Sequence, residues 1–212
     1  MIPEYLGTAM LFIQPEHCVP LQIIPETGSG ARRLGGTPPI GIVPPSGSTG
    51  LAYFATLPLV GNPAAHVSIF VSRLEQLMCM RGRVNPSGGI EVCVHYALPR
   101  NPSPTPWDSH LSASRLGVLP EADDWIVDDD GSRRIRPGHK LGGRPHLIRT
   151  NARLIEDLQQ LARRKYIHVA QFDFPGADDA TVSGNWPFAD GIFSLFASQP
   201  YGADDWAWCW DF

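Results

Sequence analysis

Histidines, clustered aspartates and paired glycines are the residues of this chain whose types and spacing could do chemistry. Histidines stand at positions 17, 66, 95, 110, 139, 146 and 168, and an imidazole can move a proton near neutral pH or hold a transition metal. None of them forms H-x-x-x-H or H-E-x-x-H, so no metalloprotease spacing is present. His66, His95 and His168 fall inside apolar, β-branched runs, where an imidazole packs within a sheet. His139 and His146 flank a Gly-Gly pair, and beside a carboxylate either would serve as the general base of a hydrolase. That is the enzymatic reading of the chain.

The carboxylates recur in a pattern. Ala122-Asp123-Asp124-Trp125 returns as Ala203-Asp204-Asp205-Trp206, and Asp128-Asp129-Asp130 and Asp178-Asp179 add further runs. Asp128, Asp130 and Gly131 fall at calcium-loop places, but in that register the first and twelfth ligands would be Ile126 and Pro137, which offer no carboxylate. An acidic hairpin turn is the better reading. Together these residues suggest an acidic surface suited to a basic protein partner, where complementary charge speeds and selects association. The residues expected to meet that partner are Asp123, Asp124, Trp125, Asp128, Asp129, Asp130, Asp178, Asp179 and Trp186, with Trp107 as a further aromatic anchor.

Other chemistries find no support. Gly28-Ser29-Gly30 and Gly47-Ser48-Thr49-Gly50 lack the Gly-Lys-Ser/Thr ending of a phosphate loop, and neither forms a G-x-S-x-G elbow. Cys18, Cys79, Cys93 and Cys209 are scattered without a C-x-x-C pair, which predicts reduced thiols rather than a disulfide framework or a zinc site. With 17 basic against 21 acidic residues and a net charge of -4, the chain lacks the basic face that nucleic acid requires. The start, Met1-Ile2-Pro3-Glu4-Tyr5, has no basic leader region, and the apolar patch from Ala9 to Ile13 is too short to span a bilayer. A cytoplasmic protein without metal or cofactor is therefore expected.

The elements that must position these residues are short. Proline and glycine, 21 of each, favour turns through fixed or positive φ. The stretch from Gly28 to Gly50 reads as a structured loop, and Pro99 to Trp107 as a connector. Leu51–Val60 and His66–Ser72 read as strands around Gly61-Asn62-Pro63, and Ile90–Leu98 alternates with the period of a strand. After a turn-rich stretch, Asp128 to Pro145, Thr150 or Asn151 caps a helix carrying Leu154, Ile155, Leu158 and Leu161 on one face. Strands at Ile167–Phe174, Gly191–Ser198 and Trp206–Phe212 follow.

Arg33-Leu34-Gly35-Gly36-Thr37-Pro38 is matched by Lys140-Leu141-Gly142-Gly143-Arg144-Pro145, and each is followed by the same succession of strands. This predicts one α+β domain, internally duplicated, with turn-rich mixed or antiparallel sheets, few helices and halves near 1–106 and 107–212. The Gly-Gly element reads as a structural turn used twice; its functional alternative is an anion-binding nest charged by Arg33 and Lys140.

The second Gly-Gly element, the Leu-rich helix, His168-Val169-Ala170-Gln171-Phe172-Asp173, Trp186 with Asp190-Gly191 before a Phe-rich strand, and the Trp-rich end together resemble the YwqG-like family of bacterial proteins. The likeness is carried mainly by the second half. Where family members have a longer segment around Trp-Gly-Asp, this chain has Trp186-Pro187-Phe188-Ala189-Asp190. The chain is also similar to immunity proteins that type VI secretion systems pair with nuclease effectors. The resemblance implies an antitoxin that is not an enzyme, neutralising a cognate toxin, most simply a DNase, by occluding its active site. The rivals are the hydrolase and a general protein-interaction module.

Overall fold

The structure, a computed structural model, describes residues 16–25, 32–42, 50–59, 62–73, 77–85, 88–96, 108–149, 151–174, 184, 186–198 and 205–211. Its strands are β1 (His17–Pro25), β2 (Arg33–Leu34), β3 (Leu51–Leu59), β4 (Asn62–Ser72), β5 (Val84–Asn85), β6 (Ile90–His95), β7 (Ser114–Val118), β8 (Ala122–Asp123), β9 (Trp125–Val127), β10 (Arg133–Ile135), β11 (Lys140–Gly142), β12 (Ile167–Phe172), β13 (Ile192–Ala197) and β14 (Trp206–Asp211). The helix is α1 (Ala152–Arg163), preceded along the chain by a 3-10 turn at Met78–Met80. The chain is thus mostly antiparallel β with one helix among the described residues, and the α+β expectation is corrected to mostly β. The physical reason is the spacing of proline and glycine, which leaves a single run long enough and regular enough to wind.

A 12-stranded sheet runs in the order β5-β14-β13-β12-β11-β1-β7-β2-β3-β4-β6, with β8 beside β1, while β9 and β10 form a separate pair. Strand β1 is the hinge of this order. Its first part pairs with β11, from Cys18 opposite Gly142 to Pro20 opposite Lys140, and its second part pairs with β7, from Leu21 opposite Val118 onward. Pro20, which has no amide to give a ladder, sits at the changeover. That proline also hid β1 from a reading based on strand propensity.

The sheet is curled into a half-barrel, and one aromatic ring shows how tightly. Between β3 and β13 lie six ladder steps, which in a flat sheet would separate them by roughly 29 Å. Yet the Phe54 ring of β3 lies 5.9 Å from Phe193 of β13, 5.1 Å from Phe172 of β12, 5.4 Å from Phe188 and 5.7 Å from Trp186, all edge to face. The concave face closes on itself and is filled by these rings with Leu57, Val67, Ile69, Leu195, Trp208 and Trp210.

The convex face carries α1. Asn151 caps it by accepting the Leu154 amide at 2.7 Å, and Leu154, Leu158 and Leu161 pack on Val84, Phe196, Ala207 and Cys209. The helix and the strands following each Gly-Gly element therefore lie where the sequence predicts them, although β6 stops at His95, short of the expected Leu98, and β4 begins before the expected His66. Asn62 and Pro63, expected in a turn, instead open β4. Trp107, Asp178 and Asp179 lie outside the described residues. No helix among the described residues is long and apolar enough to cross a membrane.

Candidate functional site

Both Gly-Gly turns adopt the same left-handed pair, with φ of 69° and 69° at Gly35 and Gly36 and of 66° and 66° at Gly142 and Gly143. Only glycine enters that region without strain, and space is also short. A Cβ at Gly36 would sit 2.6 Å from Ala113 Cβ, and one at Gly143 would sit 2.7 Å from the Asp124 carboxyl carbon. The basic residue before each pair is buried: Arg33 gives a hydrogen bond to the Thr37 carbonyl at 2.9 Å, and Lys140 is fully enclosed.

Lys140 Nζ donates to Asp124 Oδ1 at 2.6 Å and to the Arg136 carbonyl at 2.9 Å. The second Asp124 oxygen accepts the Arg144 amide. Burial pulls the Lys140 ammonium below its ordinary range while Asp124 pulls it back up. Beside them, Cys18 is pushed up to about 11, first by burial and then by the Asp124 charge. A charge so enclosed and already neutralised is not available to an external anion. From this turn the chain crosses the convex face as residues 143–149, its amides received by buried acceptors: Gln171 Oε1 takes the His146 amide at 2.7 Å, and Asp211 Oδ2 takes those of Ile148 and Arg149.

Asp124 and Trp186 are corrections to the expected partner surface. Asp124 is 1% exposed and Trp186 8%; the first anchors the turn, and the second packs on Phe54, His139 and Phe174. The repeated Asp-Asp-Trp pattern could not distinguish a buried aspartate from its exposed neighbour. Asp123 remains exposed, paired with His17 at 3.0 Å. Asp128 is bound through both oxygens by Arg134 Nε at 2.9 and 3.0 Å. Asp130 caps its own turn by accepting the Ser132 amide at 2.9 Å, and the Ser132 hydroxyl first, then this amide, hold its carboxyl below the usual range. Asp129 is exposed.

Asp128, Asp129 and Asp130 lie in the turn of the β9–β10 hairpin, in which Val127 faces Arg133 and Trp125 faces Ile135. The hairpin is tied to the body by the Arg136 amide on the Asp124 carbonyl and by the Arg144 guanidinium stacked 5.2 Å over the Trp125 ring. Val127 is 62% exposed near its tip. Arg133, Arg134 and Arg136 interleave with the aspartates, so the expected acidic surface is a mixed-charge ribbon around an apolar point.

His139, His146 and His168 are held within the fold, while His17 is exposed. His139 Nδ1 accepts the Asp173 amide at 3.2 Å, which leaves its proton on Nε2, and the ring packs on Phe172 and Trp186. His146 is lowered by burial. His168 donates from Nδ1 to the Gly142 carbonyl at 2.9 Å and is lowered to about 3 by burial and then by Lys140. No group of three or more metal-ligating side chains occurs among the described residues.

Sequence reasoning missed a polar chain across the other end of the sheet. Tyr53 Oη meets Thr56 Oγ1 at 2.6 Å, Thr56 meets Ser68 Oγ at 2.7 Å, and Ser68 meets His95 Nε2 at 3.0 Å. His66 and His95 face each other across the β4–β6 ladder as near-parallel rings 6.1 Å apart. Thr56 and Ser68 are fully buried, so this serine is enclosed rather than presented as a nucleophile. The signal was the period-2 alternation itself, which places His66, Ser68, Cys93 and His95 on one face.

Compared with family models the chain matches none, and comparison with curated proteins likewise finds no match.

Two predictions follow from these geometries. Lys140→Ala, which leaves Asp124 buried without its counter-charge, costs about 3–5 kcal/mol. Because Asp124 and Lys140 act on each other, the double variant Lys140→Met, Asp124→Leu is less destabilised than the two single changes added together. Urea unfolding of the four proteins measures this cycle, and strictly additive effects would contradict the pairing.

The second concerns acid. His95 is lowered from 6.5 to about 4 by burial and then by His66, and His168 to about 3, so the unfolded chain binds protons that the folded chain refuses. The stability they contribute is complete above pH 6.5 and is lost as pH falls toward 4. Urea midpoints should fall steadily over that window, and His95→Gln should flatten the slope.

Proposed function

We propose that this chain is a cytoplasmic immunity protein that binds a secreted bacterial toxin of the nuclease class, a type VI secretion DNase being the best candidate, and blocks its active site. The observation that carries the reading is the β9–β10 hairpin: a two-stranded ribbon outside the main sheet, with Val127 exposed beside an acidic turn. A two-stranded ribbon is marginal alone, and a partner covering its apolar point would stabilise it. The family likeness in the second half supplies the toxin class. The buried ionic groups described, Arg33, Asp124, Lys140 and Asp211, are engaged within the fold, which favours a binding surface over a reaction centre.

The sequence correspondence between the halves also has an architectural counterpart, and we infer a duplication. The run β2-β3-β4-β6 is a meander that begins at one Gly-Gly element, and β11-β12-β13-β14 begins at the other. Strand β7 lies beside β2, β1 lies beside β11, and β1 and β7 pair antiparallel between them, as a two-fold relation requires. Each half therefore lends a strand to the other's motif. Fragments 1–106 and 107–212 are expected to remain unfolded alone and to regain native circular dichroism on mixing; a fragment with its own cooperative transition would contradict this exchange.

The binding reading is tested by affinity purification of the tagged chain from its native cells, with mass spectrometry of whatever co-purifies at equal stoichiometry. The expected companion is one secreted nuclease whose activity the chain inhibits. Val127→Asp with Asp129→Arg should weaken that inhibition about tenfold or more, since a central apolar contact and a rim charge are removed together. A companion bound equally well by this variant would displace the site from the hairpin. Turnover of a substrate, lost on His139→Ala or His146→Ala, would favour the hydrolase instead.

A further inference from the structure

The two ends of the long sheet are finished differently. At one end β5 is two residues long, and its Val84 amide is received by the Asp157 carboxylate of α1 at 3.0 Å. Short, side-chain-capped strands are how proteins protect a sheet edge from further pairing. At the other end β6 is six residues long, pairs β4 without a bulge, and carries neither proline nor lysine. Among the described residues no strand lies on its other side.

Its open groups can be assigned. The Ser72 amide donates to the Gly89 carbonyl at 2.8 Å, just beyond the pair Val71 and Ile90. Hydrogen-bonded pairs alternate along an antiparallel ladder, so Glu91, Cys93 and His95 exchange bonds with β4. The amides and carbonyls of Ile90, Val92 and Val94 point the other way.

We propose that β6 is a dimerisation edge, occupied by β6 of a second copy of this chain running antiparallel about a two-fold axis at Cys93. The edge is self-complementary. In that register Glu91 opposes His95 of the second copy, Val92 opposes Val94, Cys93 opposes Cys93, and Ile90 opposes Tyr96. Tyr96 is 68% exposed, the highest exposure among the large hydrophobic residues described, and the pairing covers it. The inward alternation of Ile90, Val92 and Val94 continues the apolar face of the sheet across the axis. Shifting the axis to Val92 places Glu91 opposite Cys93 and takes its carboxylate away from His95, whose Nδ1 has no hydrogen-bond partner among the described residues, so the Cys93 register is the favoured one. Because Cys93 occupies a non-hydrogen-bonded site across the new ladder, its Cα lies about 4.5 Å from its mate, within disulfide reach.

Light scattering and sedimentation of the whole chain over a range of concentrations test this. The expected mass is twice the chain's 23.2 kDa. Copper–phenanthroline oxidation in air should join Cys93 to Cys93, with two electrons and two protons passing to oxygen, giving a Cys93 peptide linked to itself by mass spectrometry. Val94→Pro removes an amide that faces the open side and not the β4 ladder, and should yield monomers with unchanged circular dichroism. Glu91→Lys, which keeps every ladder bond, should raise the dissociation constant about tenfold. A single-chain mass at every concentration overturns the proposal, as does a dimer that both variants leave intact or that cross-links elsewhere. If Val94→Pro fails to fold, Glu91→Lys and the cross-link still decide.

Discussion

Phe54 against Phe172, Trp186, Phe188 and Phe193 is the contact on which the rest of the architecture depends. A long antiparallel sheet of short strands has one face to bury and no second sheet to bury it against. Folding over about β1 brings strands from both ends of the chain onto one aromatic cluster, and each buried aromatic ring removes a large apolar area from water. The curl requires a strand that can change ladders, which Pro20 permits, and turns tight enough to start each meander, which the Gly-Gly pairs provide.

Closing the concave face with rings sends the polar groups to the convex side and the turns. There they act as acceptors for backbone that has left the sheet. Asp124, Gln171 and Asp211 receive the amides of the segment after Gly143, and Lys140 neutralises Asp124. A buried carboxylate that, like Asp124, accepts a backbone amide and an ammonium is a structural joint, costly to break on one side alone. Burial likewise pulls the His66, His95, His110, His146 and His168 imidazoles toward their neutral forms.

Much of the framework was legible in the sequence. The six strands after the Gly-Gly elements and helix α1 follow from period-2 and helical spacing, and the Asn151 cap from its side-chain chemistry. Strand β1 was not legible, because Pro20 and Pro25 argue against a strand unless the ladder change between them is known. Nor was the difference between Asp123 and Asp124: adjacent residues in a strand and turn point to opposite sides, and only the position of Lys140, brought there by the pairing of β1 with β11, decides which is buried. Trp186 was read as a surface anchor because tryptophan suits both interfaces and cores, and the curl of the sheet, which is a long-range property, places it in the core. The hydroxyl chain from Tyr53 to His95 spans three strands and becomes visible only once their register is fixed.

Amide hydrogen exchange of the chain alone and with its co-purified companion tests most directly the claim that the surface, and not the buried polar groups, performs the function. The account predicts that residues 123–136 slow strongly on binding while the amides of residues 143–149 and of β3 and β4 keep their rates. Protection centred instead on the Gly-Gly turns or on the His66–His95 face, with the hairpin unchanged, would contradict it.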